Sequence, residues 1–114
     1  MLYAALASFL IAATIGVIQL TNWINGKRPN RALPLSHGMF NVLGFALLLT
    51  YFFTGQGEMP TVSLVLFIVA ALGGLFLFYM DTTQQRIPLF VAYIHGLVAI
   101  TAIALLLVFI VNMT

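Results

Sequence analysis

Four stretches of about twenty residues, Leu2–Thr21, Leu35–Thr54, Thr61–Met80 and Pro88–Asn112, contain no Asp, Glu, Lys or Arg. Roughly twenty mostly apolar residues is what one helix needs to cross the hydrocarbon of a bilayer. The charged side chains all fall in the three connecting segments: Lys27, Arg28 and Arg31 in the first, Glu58 in the second, Asp81 and Arg86 in the third. The connectors also carry breakers, and Pro34, Pro60 and Pro88 sit where a helix start tolerates a missing N–H. Such a chain is expected to be an all-α, integral membrane four-helix bundle, one membrane domain over residues 1–114, with the lipid bilayer as its surroundings. The chain is 63% hydrophobic and 5% charged, where soluble domains carry about 25% charged residues. That balance excludes a soluble globular domain, which cannot hide so much apolar surface at this size. It excludes disorder, which needs the opposite composition. Four basic residues make no stripe for nucleic acid. With no cysteine, disulfides, thiolate metal sites and iron–sulfur clusters are also excluded.

The basic residues set an orientation. Loops 22–34 and 81–87 hold every Lys and Arg and lie on the same side of a four-span chain. By the positive-inside rule these loops are cytoplasmic, and both termini lie on the other face, periplasmic if the membrane is a bacterial inner membrane. Trp23, Tyr79 and Tyr93 suit an interfacial belt on the basic side. The first stretch lacks a basic leader and is long enough to span, so it reads as a helix of the bundle rather than a cleaved signal.

A second feature is a duplication. Placing residue n on residue n+58 needs no gap. Phe9 meets Phe67, Ala12 meets Ala70, Gly16 meets Gly74, Arg28 meets Arg86, and His37-Gly38 meets His95-Gly96. Leu matches mean little here, but both histidines of the chain coincide and both precede Gly. The expected organisation is two parallel tandem two-helix repeats, about 3–54 and about 61–112, related by a pseudo-two-fold axis along the membrane normal. A ridge of Ala4, Ser8, Ala12 and Gly16, echoed by Ala70 and Gly74, predicts close backbone packing of the small-xxx-small kind.

Ionisable side chains within spans are costly and are read first as functional. His37 and His95 are expected at equal depth, one to two turns inside helices two and four. Residues four and seven further along share their face: Asn41 and Gly44 for His37, Ala99 and Ala102 for His95. These small or polar neighbours imply a volume kept open or filled by a close neighbour. The pattern suits one b-type haem per chain, its iron held by His37 and His95 from facing helices. Arg28 and Arg86, each nine residues before its His, are expected to pair the propionates. Gly38 and Gly96 let the ring or a helix approach. Gln19 is the expected acceptor for the second N–H of His37.

Three alternatives stand beside haem. In the first, the imidazoles only satisfy backbone carbonyls or each other. Copper with Met39 or Met80 is less directly motivated, and zinc lacks its four ligands. A proton relay lacks a carboxylate within the spans.

The pattern Pro34-Leu35-Ser36-His37-Gly38 and Pro88-Leu89 with His95-Gly96 resembles a group of small bacterial inner-membrane proteins of uncharacterised function. With four helices and a histidine pair, it also resembles the small membrane-bound b-type cytochromes. That resemblance implies haem binding, with electron transfer or haem handling, rather than independent enzyme activity. The competing reading is a non-catalytic accessory or assembly subunit of a larger membrane (respiratory) complex, or a homo-oligomer. A small multidrug transporter of this length would carry a Glu in helix one, and none is present.

Overall fold

The computed structural model describes residues 1–28, 30–55 and 57–113. It is an all-α four-helix bundle: α1 (Leu2–Ile24), α2 (Ala32–Thr54), α3 (Thr61–Thr82) and α4 (Leu89–Met113). Its longest dimension is 45 Å, against about 40–45 Å for a bilayer with its headgroups. All four helices are long and apolar enough to cross a membrane. The outward faces are apolar too, with Met39, Val42, Phe53 and Phe90 among the most exposed large side chains. A water-soluble surface does not carry such a continuous apolar covering. Both features are consistent with an integral membrane protein.

The helices begin and end close to where the apolar stretches do. α2 starts before Leu35, at Ala32, whose N–H is accepted by Asn30 Oδ1 at 2.8 Å; Pro34 is accommodated in its first turn. α3 runs two residues past Met80 and takes Asp81 into its last turn. The ends of α1 and α3 share one backbone. Asn25 has φ −86° and ψ 8°, and Thr83 has φ −88° and ψ 11°. Gly26 follows at φ 71° and Gln84 at φ 58°. Both turns close with bonds back into the helix, from Lys27 N–H to Asn22 O and from Gln85 N–H to Met80 O.

α1 packs along α2, α3 along α4, and α1 also meets α4; α2 touches α3 only slightly, and among the described residues neither α1 and α3 nor α2 and α4 come into close backbone contact. α2 and α4, the histidine-bearing helices, are therefore diagonal. The small-residue ridge of α1 is shifted from the sequence expectation: Ala5, Ser8 and Ala12 are buried, whereas Ala4 is exposed. A strict four-residue spacing drifts around a helix of 3.6 residues per turn, so the contact line follows mixed steps of three and four. Nearer the chain termini the core is made by Leu2, Ala5, Phe9, Leu48, Phe67, Ala102, Leu106 and Ile110. At its centre Phe9 and Phe67 stack, ring centroids 3.9 Å apart and planes 10° from parallel. Ring stacking between α1 and α3 bridges the other diagonal. It is worth about 0.5–1.5 kcal/mol beyond the area buried.

Candidate functional site

Below the phenylalanine stack, toward the basic end, the two histidines face each other. Their ring centroids are 6.2 Å apart and the ring planes are 78° from parallel. Each ring rests on a glycine of the preceding helix. A Cβ at Gly16 would stand 2.9 Å from His37 Cε1, and one at Gly74 would stand 3.0 Å from His95 Cε1. No helix packs against Gly38 or Gly96: a Cβ at either would meet nothing within 4 Å. The residue after a histidine points about 100° away around the helix, so the close approach is supplied by Gly16 and Gly74.

His37 is held on both sides. Its Nδ1 donates to the Ala12 carbonyl at 2.8 Å. A carbonyl can only accept, so this bond puts the proton on Nδ1 and leaves a lone pair on Nε2. Asn41 Nδ2 donates to that lone pair at 3.2 Å and to the His37 carbonyl at 2.9 Å. Gln19 is therefore not the acceptor for His37; the backbone of Ala12 is, and Gln19 Oε1 has no hydrogen-bond partner among the described residues. His95 lies against the backbone of Ala70, but its Nδ1 makes no bond of hydrogen-bonding geometry.

Two cavities share both imidazoles in their walls. One, of about 420 Å³, opens where α2 and α3 diverge and is bordered by Gly38, Asn41, Ala71, Ala99 and the Phe9 and Phe67 rings. The other, of about 160 Å³, lies toward the basic end, bordered by Gly16, Gln19, Trp23, Leu77, Ala92 and Gly96. Gly44 and Ala102 do not border either. Gly44 receives the Phe9 ring, whose atoms approach its Cβ position to 3.0 Å, and Ala102 is fully buried in the terminal core. Of the volume expected beside the histidines, part is open and part is filled by Phe9.

At the basic end the arginines are engaged by a residue that sequence reasoning left in a loop. Asp81 is 4% exposed. Arg28 Nε lies 3.6 Å from its Oδ1, and Arg31 Nη1 lies 3.2 Å from its Oδ2. Arg28 also donates to the Gln85 carbonyl. Arg31 donates to Thr82 Oγ1 at 2.9 Å and lies over the Phe78 ring. Arg86 is exposed and makes no ion pair among the described residues. The signal for Asp81 was present in the sequence: it is the only acid on the side that holds four basic residues. No cluster of three or more His, Asp and Glu capable of holding a metal exists among the described residues. Compared with known protein families, curated proteins and solved structures, the chain matches none.

Proposed function

We propose that this chain is an integral membrane protein that binds one b-type haem between His37 and His95 and serves electron transfer or haem handling. One observation carries the reading: two imidazoles from diagonal helices oppose each other at 6.2 Å. His37 and His95 would be the two residues to hold a metal centre placed between them. The flanking cavities, one to each side of the pair and apolar in most of their walls, suit a flat apolar ligand. The Nδ1 bond of His37 to Ala12 is the orienting contact a ligating imidazole usually has. Were His37 to hold the group through Nε2, Asn41 would still keep its bond to the His37 carbonyl. Haem so held supplies one-electron redox chemistry, tuned by axial ligands and burial. The propionate role falls first to Arg86, since Arg28 and Arg31 are tied to Asp81.

The reading includes a tandem repeat of two helical hairpins about a pseudo-two-fold axis along the membrane normal. It is supported by three pairs 58 residues apart in sequence: the histidines, the stacked phenylalanines, and the matching turns at Gly26 and Gln84. Lys27, Arg28, Arg31 and Arg86 at one end support a cytoplasmic placement of that end, with both termini outside.

A second reading also has an observation in its favour. Both ring nitrogens of His37 are bonded within the chain, as in a histidine that serves packing alone. The chain is then a non-catalytic accessory subunit of a larger membrane complex or a homo-oligomer. An absorbance spectrum separates the two. Protein purified in mild detergent from a haem-replete host is expected to be coloured, with the sharp reduced bands of six-coordinate haem. His37→Ala and His95→Ala should each abolish that low-spin spectrum. Colourless wild-type protein refutes haem binding; stoichiometric co-purification with a larger complex then supports the second reading.

A further inference from the structure

The 58-residue offset carries α1 onto α3 and α2 onto α4, so the α2–α3 seam is the counterpart of the α1–α4 seam. The two seams differ. α1 meets α4 along its length, whereas α2 only touches α3. The loose seam is nevertheless tied at both ends. At the basic end Arg31, at the head of α2, donates to Asp81 and Thr82 of α3 and covers the Phe78 ring. At the other end the two helices are joined by residues 55–60, where the Tyr51 hydroxyl donates to the Glu58 carbonyl at 3.3 Å. Between the ties the cavity of about 420 Å³ reaches the protein surface. Its rim is Val42 and Ala46 on α2 with Ala71 and Leu75 on α3, all exposed.

The depth of this rim decides what it faces. Val42 lies ten residues past Ala32, and Ala71 eleven before Thr82. At 1.5 Å per residue both stand about 15–17 Å from the basic end. The middle of a hydrocarbon core of about 30 Å lies at that depth. The cavity has the size of an ordinary ligand site, about 300–1,000 Å³, and its walls are apolar apart from His37, Asn41 and His95. We propose that the α2–α3 seam is a lateral entrance, through which the histidine site takes its ligand from the hydrocarbon of the bilayer and not from water. The ligand class it admits is a lipid-soluble, apolar ring system. The entrance belongs to the fold; that the molecule passing through it is haem rests on the reading above.

The haem-free full chain in lipid vesicles is the sample. The probe is a small apolar diazirine dissolved in the bilayer, which on illumination inserts into the side chains it touches and is located by mass spectrometry. Label is expected on Ala99 and Ile103, which border the cavity from α4, away from its rim. A charged diazirine confined to the water should leave both unlabelled. Val42→Phe/Ala71→Phe narrows the mouth from both helices and should remove most of the interior label, while label on Val108, an exposed residue of α4 outside the cavity, stays unchanged. Ala71→Phe alone is the reserve variant if the pair does not fold. Haemin bound to the wild type should protect Ala99 and Ile103. The entrance is overturned by an unlabelled α4 wall in the wild type, by equal label in the narrowed variant, or by label from the charged probe. A haem spectrum without protection overturns it too, since the group then sits elsewhere. Interior label that the narrowed variant loses, in a chain that shows no haem spectrum, refutes the haem reading and leaves the entrance standing.

Discussion

Gly16 and Gly74 occupy equivalent places under the two histidines, yet the same substitution should act differently at each. In Gly16→Ala the new methyl stands 2.9 Å from His37 Cε1 and 3.2 Å from Nδ1, where relaxed carbon contacts lie at about 3.5–4.0 Å. The ring must shift by several tenths of an ångström. It cannot do so without straining its 2.8 Å bond to Ala12, worth about 1 kcal/mol. Overpacking of this kind costs about 1–3 kcal/mol, and the gain in helix propensity of Ala over Gly offsets about 1 kcal/mol. The net expectation is a loss of up to about 2 kcal/mol. In Gly74→Ala the methyl meets His95 Cε1 at 3.0 Å and Nε2 at 3.6 Å, but this ring lies against the Ala70 backbone without a bond of good geometry at Nδ1, so it has less to give up. There the propensity gain roughly cancels the crowding, and the change should lie within about 0.5 kcal/mol of zero. Reversible unfolding in mixed micelles, read by helicity or by steric trapping, measures both. Equal losses at the two positions, or a larger loss at Gly74, would refute the claim that the His37 ring is the pinned one.

Three further outcomes are expected. A double-mutant cycle on Phe9→Ala and Phe67→Ala should return a coupling of about 0.5–1.5 kcal/mol, and additive losses would mean the rings do not stack. Asp81→Asn should cost about 1 kcal/mol, kept modest because the arginine side chains are 27% and 45% exposed. That loss should shrink in high salt as the wild-type pairs are screened; a loss independent of salt argues that Asp81 acts by packing alone. A C-terminal reporter active only outside the cytoplasm should be active, and activity of a cytoplasm-only reporter there would reverse the proposed orientation.

The helices and the meeting of His37 with His95 were legible because both rest on strong patterns: charge-free stretches of spanning length and a gapless offset that superposes two rare residues. The partners of the histidines were less legible. Sequence neighbours drew attention to Gly38 and Gly96, but contact across a bundle is made by another helix, and the rings seat on Gly16 and Gly74. That pair was visible as a repeat match without its role. Hydropathy ended the third span at Met80, since an Asp is expensive in an apolar environment. The helix continues because Arg28 and Arg31 reach back to neutralise Asp81, a tertiary contact that no local window contains. Trp23 suited an interfacial belt by its position, yet its Nε1 is turned inward and buried.

The matching turns at the ends of α1 and α3 differ in one respect that bears on how the basic end moves. A left-handed backbone costs Gly26 little, but costs an ordinary side chain such as Gln84 about 1–2 kcal/mol. What holds Gln84 there is its surroundings: its N–H and that of Gln85 close on Asp81 and Met80, and the Gln85 carbonyl receives Arg28. Arg28 thus grips both the strained turn and the carboxylate just before it. Freeing that one side chain removes support from both places, so the end of α3 and the connector holding Arg28 should open as one cooperative unit, not as two fraying segments.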